Sequence, residues 1–407
     1  MPTLLQINIT ANWGAHGRIA ELIGQQAMAQ GWESHIAYGR WKNPSQSQLY
    51  HIGNQVDEAI HLMSARLFDN QGLMSHGATR QLIDYMRALN PTIVHLHNLH
   101  GYYLNYPMLF RYLSTLQIPV VWTFHDAWPF TGHCAHYMYA DCEKWKTHCA
   151  HCPLLTSYPR CVGFDRSYAN FKTKRKWFRA VPNLCVVPVS KWLEGELRAS
   201  FLSDCACRQI YNGIDTQVFH IDEHAAIERE AWGIAPRKKM VLGVASNWYR
   251  KGLDDFMALR KLLPDDYVLV MVGGHERLYK HLATGMVGIA RTNDVAQLRK
   301  LYTTADVFFN PTWEDNLPTT ILEALACGTP VVTYHTGGCS EEVPEGCGYV
   351  VEKGAIVDAK NRIEDLCRRE NAQEMAARCR QHVIDHFEQG KQLKQYLALY
   401  DQLLGQS

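Results

Sequence analysis

One stretch, Trp313-Glu-Asp-Asn-Leu-Pro-Thr-Thr-Ile-Leu-Glu-Ala-Leu-Ala-Cys-Gly-Thr-Pro-Val-Val332, admits few structures. The run before it, Asp306-Val-Phe-Phe-Asn-Pro311, is β-branched and aromatic and ends on a turn signal, which predicts a buried strand. Asp315 or Asn316 can cap the helix that follows, and Pro318 suits a first turn, where its missing N–H costs nothing. Ile321, Leu322 and Leu325 share one apolar face; Gly328 closes the helix, and Pro330 opens the strand Val331-Val-Thr333. A strand–loop–helix–strand unit leaves backbone N–H groups at the helix start, outside the carboxyl ends of a sheet, as a ready anion site. On spacing alone, Asp315 reads equally as a cap and Glu323 as a solvated helix residue.

The order of residues says more. A carboxylate, seven residues, Glu-Ala and then Ala-Cys-Gly-Thr-Pro-Val-Val resembles the signature of the family-4 glycosyltransferases. The resemblance implies the GT-B fold, an α/β architecture of two Rossmann-like parallel-sheet domains facing a cleft, and retaining transfer from a nucleotide-sugar. In that family the second Glu binds the nucleotide ribose and the first carboxylate lies near the donor sugar. Those roles fall on Glu323 and Asp315, with Asp where Glu is usual and Glu314 just before it. Either acid can face the sugar. The same motif places Asn316 and Leu317 against the donor.

The remaining composition excludes little. With 407 residues, 47% apolar and 20% charged, the chain is long enough for two cores of ordinary make-up. Lys+Arg 41 against Asp+Glu 40 gives no field to attract nucleic acid. No long apolar run is present, and Met-Pro-Thr-Leu-Leu-Gln lacks the marks of a signal peptide. Thirteen cysteines, an odd count, read by default as reduced thiols of a cytoplasmic protein.

In the first half, Leu4–Ile9 is an apolar strand leading into Asn12-Trp-Gly-Ala-His-Gly-Arg18, with helical periodicity from Ile19. Gly14 and Gly17 fall short of the three-glycine dinucleotide pattern, so a tight turn is the plain reading. The family places this loop by the donor diphosphate, which would put Gly14, Gly17 and Arg18 in the cleft. Glu33–Tyr38 reads as the second strand, and the segment 41–76 has weak periodicity. His95, His97 and His100 cluster at the end of the strand Thr92–His97 without nearby carboxylates, which favours structural histidines over a metal site. The strand Pro119–Asp126 ends in Thr-x-His-Asp, which resembles the place where family members bring a His to the donor sugar. That marks His125 and Asp126 as candidate catalytic residues, a satisfied core histidine being the alternative.

Cys134-x7-Cys142-x6-Cys149-x2-Cys152 comes next, within an insertion over 131–161. Only Cys149 and Cys152 have the tight spacing of a zinc knuckle; a structural Zn²⁺ on the four cysteines and plain reduced thiols are both open. A subgroup of the family associated with bacterial surface polysaccharides resembles this chain in that insertion, in Gly17-Arg-Ile and in Tyr38-Gly-Arg40. Lys172-Thr-Lys-Arg-Lys-Trp-Phe-Arg179 is the basic run, read as a solvated helix face or as a patch for anionic lipid at the inner membrane.

Ile210-Tyr-Asn-Gly-Ile-Asp-Thr-x-Val-Phe219 resembles the family's interdomain segment, and 390–404 reads as an amphipathic helix. The expected organisation is 1–195 as the acceptor-side domain, 196–388 as the donor domain, and 389–407 as a helix crossing back. In Ser246-Asn-Trp-Tyr-Arg-Lys-Gly252 the family has Arg at the position of Ser246; Lys251 is kept and Arg250 can substitute. Cations there stabilise the departing diphosphate. Arg291 stands where the family receives the base, and Gly337-Gly338 with Glu341-Glu342 resembles its Gly-Gly-x-x-Glu loop.

The resemblance therefore implies a hexosyltransferase using a UDP- or GDP-sugar and a glycan or lipid-linked hydroxyl acceptor. No cofactor is required for catalysis, and the leaving phosphate accepts the acceptor's proton. A GT-B epimerase or phosphorylase, or an inert GT-B binding protein, would share the fold.

Overall fold

The structure is a computed structural model. It describes residues 1–225, 229, 231–245, 248–274, 276–280, 282–292 and 294–405, with the side chains of 276 and 277 excepted. The chain divides into two units, one of Met1–Tyr211 with the residues from Leu393 on, the other of Asn212–Gln392.

The first unit is built on a parallel sheet of β1 (Thr3–Asn8), β2 (Glu33–Tyr38), β3 (Gln48–His51), β4 (Ile93–Leu96), β5 (Val120–Phe124), β6 (Leu184–Pro188) and β7 (Ala206–Cys207). Their order is β3-β2-β1-β4-β5-β6-β7. β1, β4, β5 and β6 are buried along their whole length. That is why their sequences are near-continuous apolar runs rather than alternating ones. One face is closed by the C-terminal helix Gln389–Gly405, whose Tyr396, Leu397, Leu399 and Tyr400 pack with Leu4, Ile23, Ile93, Val121 and Val187.

The second unit repeats the plan. β8 (Lys239–Val244), β9 (Tyr267–Val272), β10 (Met286–Ile289), β11 (Val307–Asn310), β12 (Val331–Tyr334) and β13 (Gly348–Val351) lie parallel in the order β10-β9-β8-β11-β12-β13. The strand following Asp306 is β11. The apolar face of the helix Thr319–Ala326 buries Ile321, Leu322 and Leu325 completely, worth about 1.5–3 kcal/mol for each such side chain. Gly328 ends it with φ +82°.

Each sheet reverses its winding once, between β1 and β4 and between β8 and β11. Loops at such switch points diverge beyond the strand ends and leave room for a ligand. The loops that follow these four strands carry most of the candidate residues.

Local structure departs from expectation in four places. The weakly periodic 41–76 segment holds β3 and the helix Gln55–Phe68. The first helix begins at Gly14, so Gly17 and Arg18 lie inside it rather than in a loop. The helix Thr319–Ala326 has Pro318 as its N-cap and no side-chain cap, so neither Asp315 nor Asn316 caps it. In the helix Ser167–Phe178, Lys174 is buried and only Lys172, Arg175 and Lys176 of its cations are exposed, which removes the centre of the basic surface run. Among the described residues no helix is long and apolar enough to cross a membrane.

Candidate active site

In the second unit the switch point brings four charges together. Arg250 and Lys251 precede Gly252, and Glu314 and Asp315 follow β11. Arg250 Nη1 donates to Glu314 Oε1 at 2.8 Å, and Lys251 Nζ pairs with Asp315 Oδ2. Backbone fixes this register. Trp313 N–H donates to Arg250 O at 3.0 Å, and Trp313 Nε1 to Asp255 Oδ2 at 2.7 Å. Gly252 has φ +79°, and a Cβ there would stand 2.0 Å from Pro311 O. No other residue fits, because left-handed backbone and a backbone collision coincide.

The two acids differ in access. Glu314's side chain is 4% exposed and Asp315's 17%. Asp315 Oδ1 accepts from Asn316 N–H at 2.9 Å, and Asn316 O accepts from Gly338 N–H at 3.0 Å. Gly337 lies so close that a Cβ would meet Asp315 O at 1.7 Å, so the Gly-Gly loop is pressed onto the acid loop. Leu317 is buried. Glu342, fully buried, is pushed well above the usual carboxylate range by burial and then by Asp315 and Glu341.

Glu323 lies on the second turn of its helix. Its Oε2 accepts from Tyr302 Oη at 2.8 Å and its Oε1 from Thr319 Oγ1 at 3.4 Å. Tyr302 is wholly buried and held well above its ordinary range by burial and by Glu323, so it remains a hydrogen-bond donor. Arg291 lies exposed just past β10, at a different strand end. Ser246 falls outside the described residues.

In the first unit, His125 and Asp126 stand just beyond β5. Asp126 Oδ2 accepts from His100 Nε2 at 2.7 Å and Oδ1 from Trp128 N–H at 2.9 Å. Burial alone would raise Asp126, but His100 and the Trp128 N–H outweigh it and hold the carboxyl well below the usual range. His100 Nδ1 pairs with Tyr158 Oη at 2.8 Å.

A chain of fixed protons runs to His125. Gln6 Nε2 donates to Ala20 O at 2.7 Å, which turns Gln6 Oε1 toward His97 Nε2 at 3.0 Å. His97 must therefore carry its hydrogen on Nε2 and accept at Nδ1, where His125 Nε2 lies 3.2 Å away. His125 is thereby set as its Nε2–H tautomer. Burial, then the neighbouring His97 and His16, keep its ring well below the usual imidazole range and hence neutral. His95 pairs with Tyr400 Oη at 2.6 Å and Thr123 Oγ1 at 2.8 Å. The three strand-end histidines are thus taken up by polar partners. Gly14, at φ +68°, opens the first helix with free space around it, whereas a Cβ on Gly17 would meet Thr10 Oγ1 at 2.5 Å, a packing role.

Sequence reasoning passed over Gln6, His97, His100, Tyr158 and Tyr302 as site residues. A glutamine inside an apolar strand was the available signal, since a buried amide needs partners. Among the described residues no three or more His, Cys, Asp or Glu side chains already converge as a metal site.

Two parallel-sheet units with polar clusters at their switch points are the GT-B architecture. Sucrose-phosphate synthase from Thermosynechococcus elongatus superposes with a TM-score of 0.71 at 16% identity, covering 100% of both chains. HepE from Anabaena, solved in complex with UDP, gives 0.68 at 12% identity, covering 99% of this chain and 100% of that one. In sequence, residues 14–218 match the family model "Glycosyltransferase Family 4" and residues 225–385 match "Glycosyl transferases group 1". The chain belongs to glycosyltransferase family 4, and it is a glycosyltransferase. Similar proteins include "Putative colanic acid biosynthesis glycosyl transferase WcaC" of Escherichia coli, 28% identical over 87% of this chain and 88% of that one. The "N,N'-diacetylbacillosaminyl-diphospho-undecaprenol alpha-1,3-N-acetylgalactosaminyltransferase" of Campylobacter jejuni is 25% identical over 41% of this chain and 46% of its own.

Proposed function

We propose that this enzyme transfers a hexosyl group, with retention, from a UDP- or GDP-sugar to a hydroxyl of a glycan or lipid-linked acceptor in bacterial surface-polysaccharide synthesis. The observation that carries the reading is the cluster at the β8–β11 switch point, where two cations and two carboxylates meet beside the Tyr302-anchored Glu323. Glu323 takes the ribose hydroxyls, and Arg250 and Lys251 take the diphosphate, whose charge grows as the sugar departs. Asp315, the more accessible acid, takes the sugar, with Glu314 as the anchor of Arg250. Asn316, Leu317, Gly14, Gly17 and Arg291 are assigned to the donor. His125, with Asp126 behind His100, is assigned to the reacting sugar and acceptor. A neutral His125, its Nε2–H directed to His97, can accept a hydrogen bond at Nδ1 and brings no charge. The leaving phosphate takes the acceptor's proton, so no protein base is required.

Similarity to a protein named for colanic acid biosynthesis and to one named for an undecaprenol-linked product supports the acceptor class. An exposed apolar stripe, Val56, Ile60, Met63 and Leu67, runs along the helix Gln55–Phe68 at i, i+4, i+7 and i+11. Phe68, Val162 and Phe164 extend it, and Val162 and Phe164 N–H bond to Arg66 O and Leu67 O. Such a patch supports docking at the cytoplasmic face of the inner membrane.

A thermal-shift panel of UDP, GDP and ADP and their sugars tests the donor site. One base is expected to raise the melting temperature selectively, by mass action, and Glu323→Ala to abolish that rise. A Glu323→Ala protein that binds and turns over as the wild type does refutes the assignment. Product anomers read by NMR test retention.

A further inference from the structure

The segment between β5 and the helix Ser167–Phe178 contains only short helical turns, at Trp128–Phe130, Met138–Ala140 and Lys144–Lys146. Regular hydrogen bonding does not hold it together. Four of its five cysteines surround one small space instead. Cys134, Cys142, Cys149 and Cys152 all line a cavity of about 10 Å³, and His133 lines it too. That is the space of one water or one ion, far too small for a substrate.

The surroundings are arranged for sulfur. Gly132 N–H points at Cys149 Sγ from 3.1 Å, an approach only glycine allows, since a Cβ there would lie 2.6 Å from Cys149 Cβ and 2.2 Å from Ser167 O. The Cys134 and Cys152 thiols are neighbours on its wall. The Cys149–Cys152 turn has His151 at φ +51° and is tied down by Lys144 Nζ, which donates to Ala150 O at 3.0 Å and His151 O at 2.9 Å. Cys152 N–H donates to Asp165 Oδ2 at 2.7 Å.

A second observation points to a ligand. His133 has a fully buried side chain whose Nδ1 is 2.6 Å from Asp69 Oδ1, while its Nε2 has no hydrogen-bond partner. Asp69 is itself fixed by Asn170 Nδ2 at 3.2 Å and Arg166 N–H at 3.3 Å. A carboxylate behind one imidazole nitrogen and nothing on the other is the arrangement that orients a metal-ligating histidine.

We propose that this cavity is a structural Zn²⁺ site, with Cys134, Cys149 and Cys152 supplying three thiolates and Cys142 or His133 Nε2 the fourth donor. The donors surround the cavity without three of them already converged, so loading draws their side chains inward. Each ligating thiol gives its proton to solvent as its sulfur binds, and nothing is oxidised or reduced. The ion ties the segment after His125 into one piece without taking part in transfer. Lys174, buried with its Nζ donating to Trp128 O at 2.6 Å and Thr131 O at 3.1 Å, pins the start of the same segment to the helix Ser167–Phe178.

The test uses the full-length protein as purified, with metal content measured by mass spectrometry. About one zinc per chain is expected, released by a thiol-modifying reagent. Replacement by Co²⁺ is expected to give the sulfur-to-metal charge-transfer band and intense visible bands of a tetrahedral thiolate site. Cys149→Ser is expected to lose the metal and the bands, and retention in either Cys142→Ser or His133→Asn names the fourth donor. Wild-type protein that responds to nucleotide yet holds no zinc and gives no thiolate–cobalt spectrum overturns the proposal. So does a Cys134–Cys152 disulfide in the native protein. These readouts are independent of donor binding in the second unit, so either reading can fail alone.

Discussion

The proton order at His125 is held by one side chain. In Gln6→Met the amide that accepts from His97 Nε2–H disappears, while Gln6 is fully buried and His97 nearly so. In the wild type, flipping both imidazoles would break that bond and strand a buried nitrogen, about 1–3 kcal/mol, so the present order is favoured roughly 5- to 150-fold. In Gln6→Met either order leaves His97 Nε2 without a strong partner, and most of that preference is lost. A sizeable share of His125 is then its Nδ1–H tautomer, a donor at Nδ1 where the wild type accepts. That share is misdirected in the transition state, so kcat is expected to fall about twofold or more, with KM little changed. ¹⁵N chemical shifts of labelled histidine report which ring nitrogen is protonated, and steady-state rates report the consequence. A wild-type His125 carrying its hydrogen on Nδ1 refutes the derivation outright. A His125 unchanged in Gln6→Met shows that Gln6 does not control it.

Tyr302→Phe removes the bond that steadies Glu323, and about 1–2 kcal/mol of nucleotide affinity, roughly 5- to 30-fold, is expected to go with it in calorimetric titration. Gly252→Ala forces a Cβ onto Pro311 O in left-handed backbone, so denaturation of the second unit is expected to show a loss of more than about 2 kcal/mol together with a diminished nucleotide response. His61 is buried with Gly72 N–H donating to its Nε2, and burial, against the Asn70 backbone and with His76, lowers it to about 4. The unfolded chain therefore binds the proton first as pH falls. Stability of the first unit is full above about pH 6.5 and declines toward pH 4, by about 3 kcal/mol from this group. Urea midpoints against pH measure the slope, and His61→Gln is expected to flatten it.

What could be read in the sequence follows from how each feature is encoded. Strands β1, β5, β6, β9 and β11 are buried on both faces, so they appear as unbroken apolar runs that need no partner to be recognised. The acid loop and Glu323 helix form a contiguous motif, and their local order is legible for the same reason. The helix Gln55–Phe68 was obscured because it is apolar on the wrong side. Val56, Ile60, Met63 and Leu67 face solvent while His61 and Ala65 face the interior, so periodicity gives no clear inner face. Lys174 sits in a run of cations, and its partners, the carbonyls of Trp128 and Thr131, lie more than forty positions away. The Gln6–His97–His125 chain likewise joins the interior of β1 to the ends of β4 and β5, far apart in sequence, and only the parallel register brings them into line.

At the β8–β11 switch point the charges balance. Two cations are matched by two carboxylates, so the unliganded cluster is formally neutral. Lys251 and Asp315 are 28% and 17% exposed, toward the surface regime in which an ion pair is worth about 0–1 kcal/mol net, whereas Glu314 opposite Arg250 is only 4% exposed. Exchanging such a partner for phosphate therefore costs little, whereas phosphate oxygens held by guanidinium and ammonium give stronger charge-assisted bonds. The carboxylates then act as placeholders that keep two long side chains extended over the strand ends before the donor arrives. Asp315 is the partner that can turn away, because Glu314 is nearly buried and Arg250 O is tied to Trp313 N–H. On that reasoning, Asp315→Asn retains nucleotide binding and loses sugar transfer, while Glu314→Gln disturbs the placement of Arg250 and weakens the nucleotide itself.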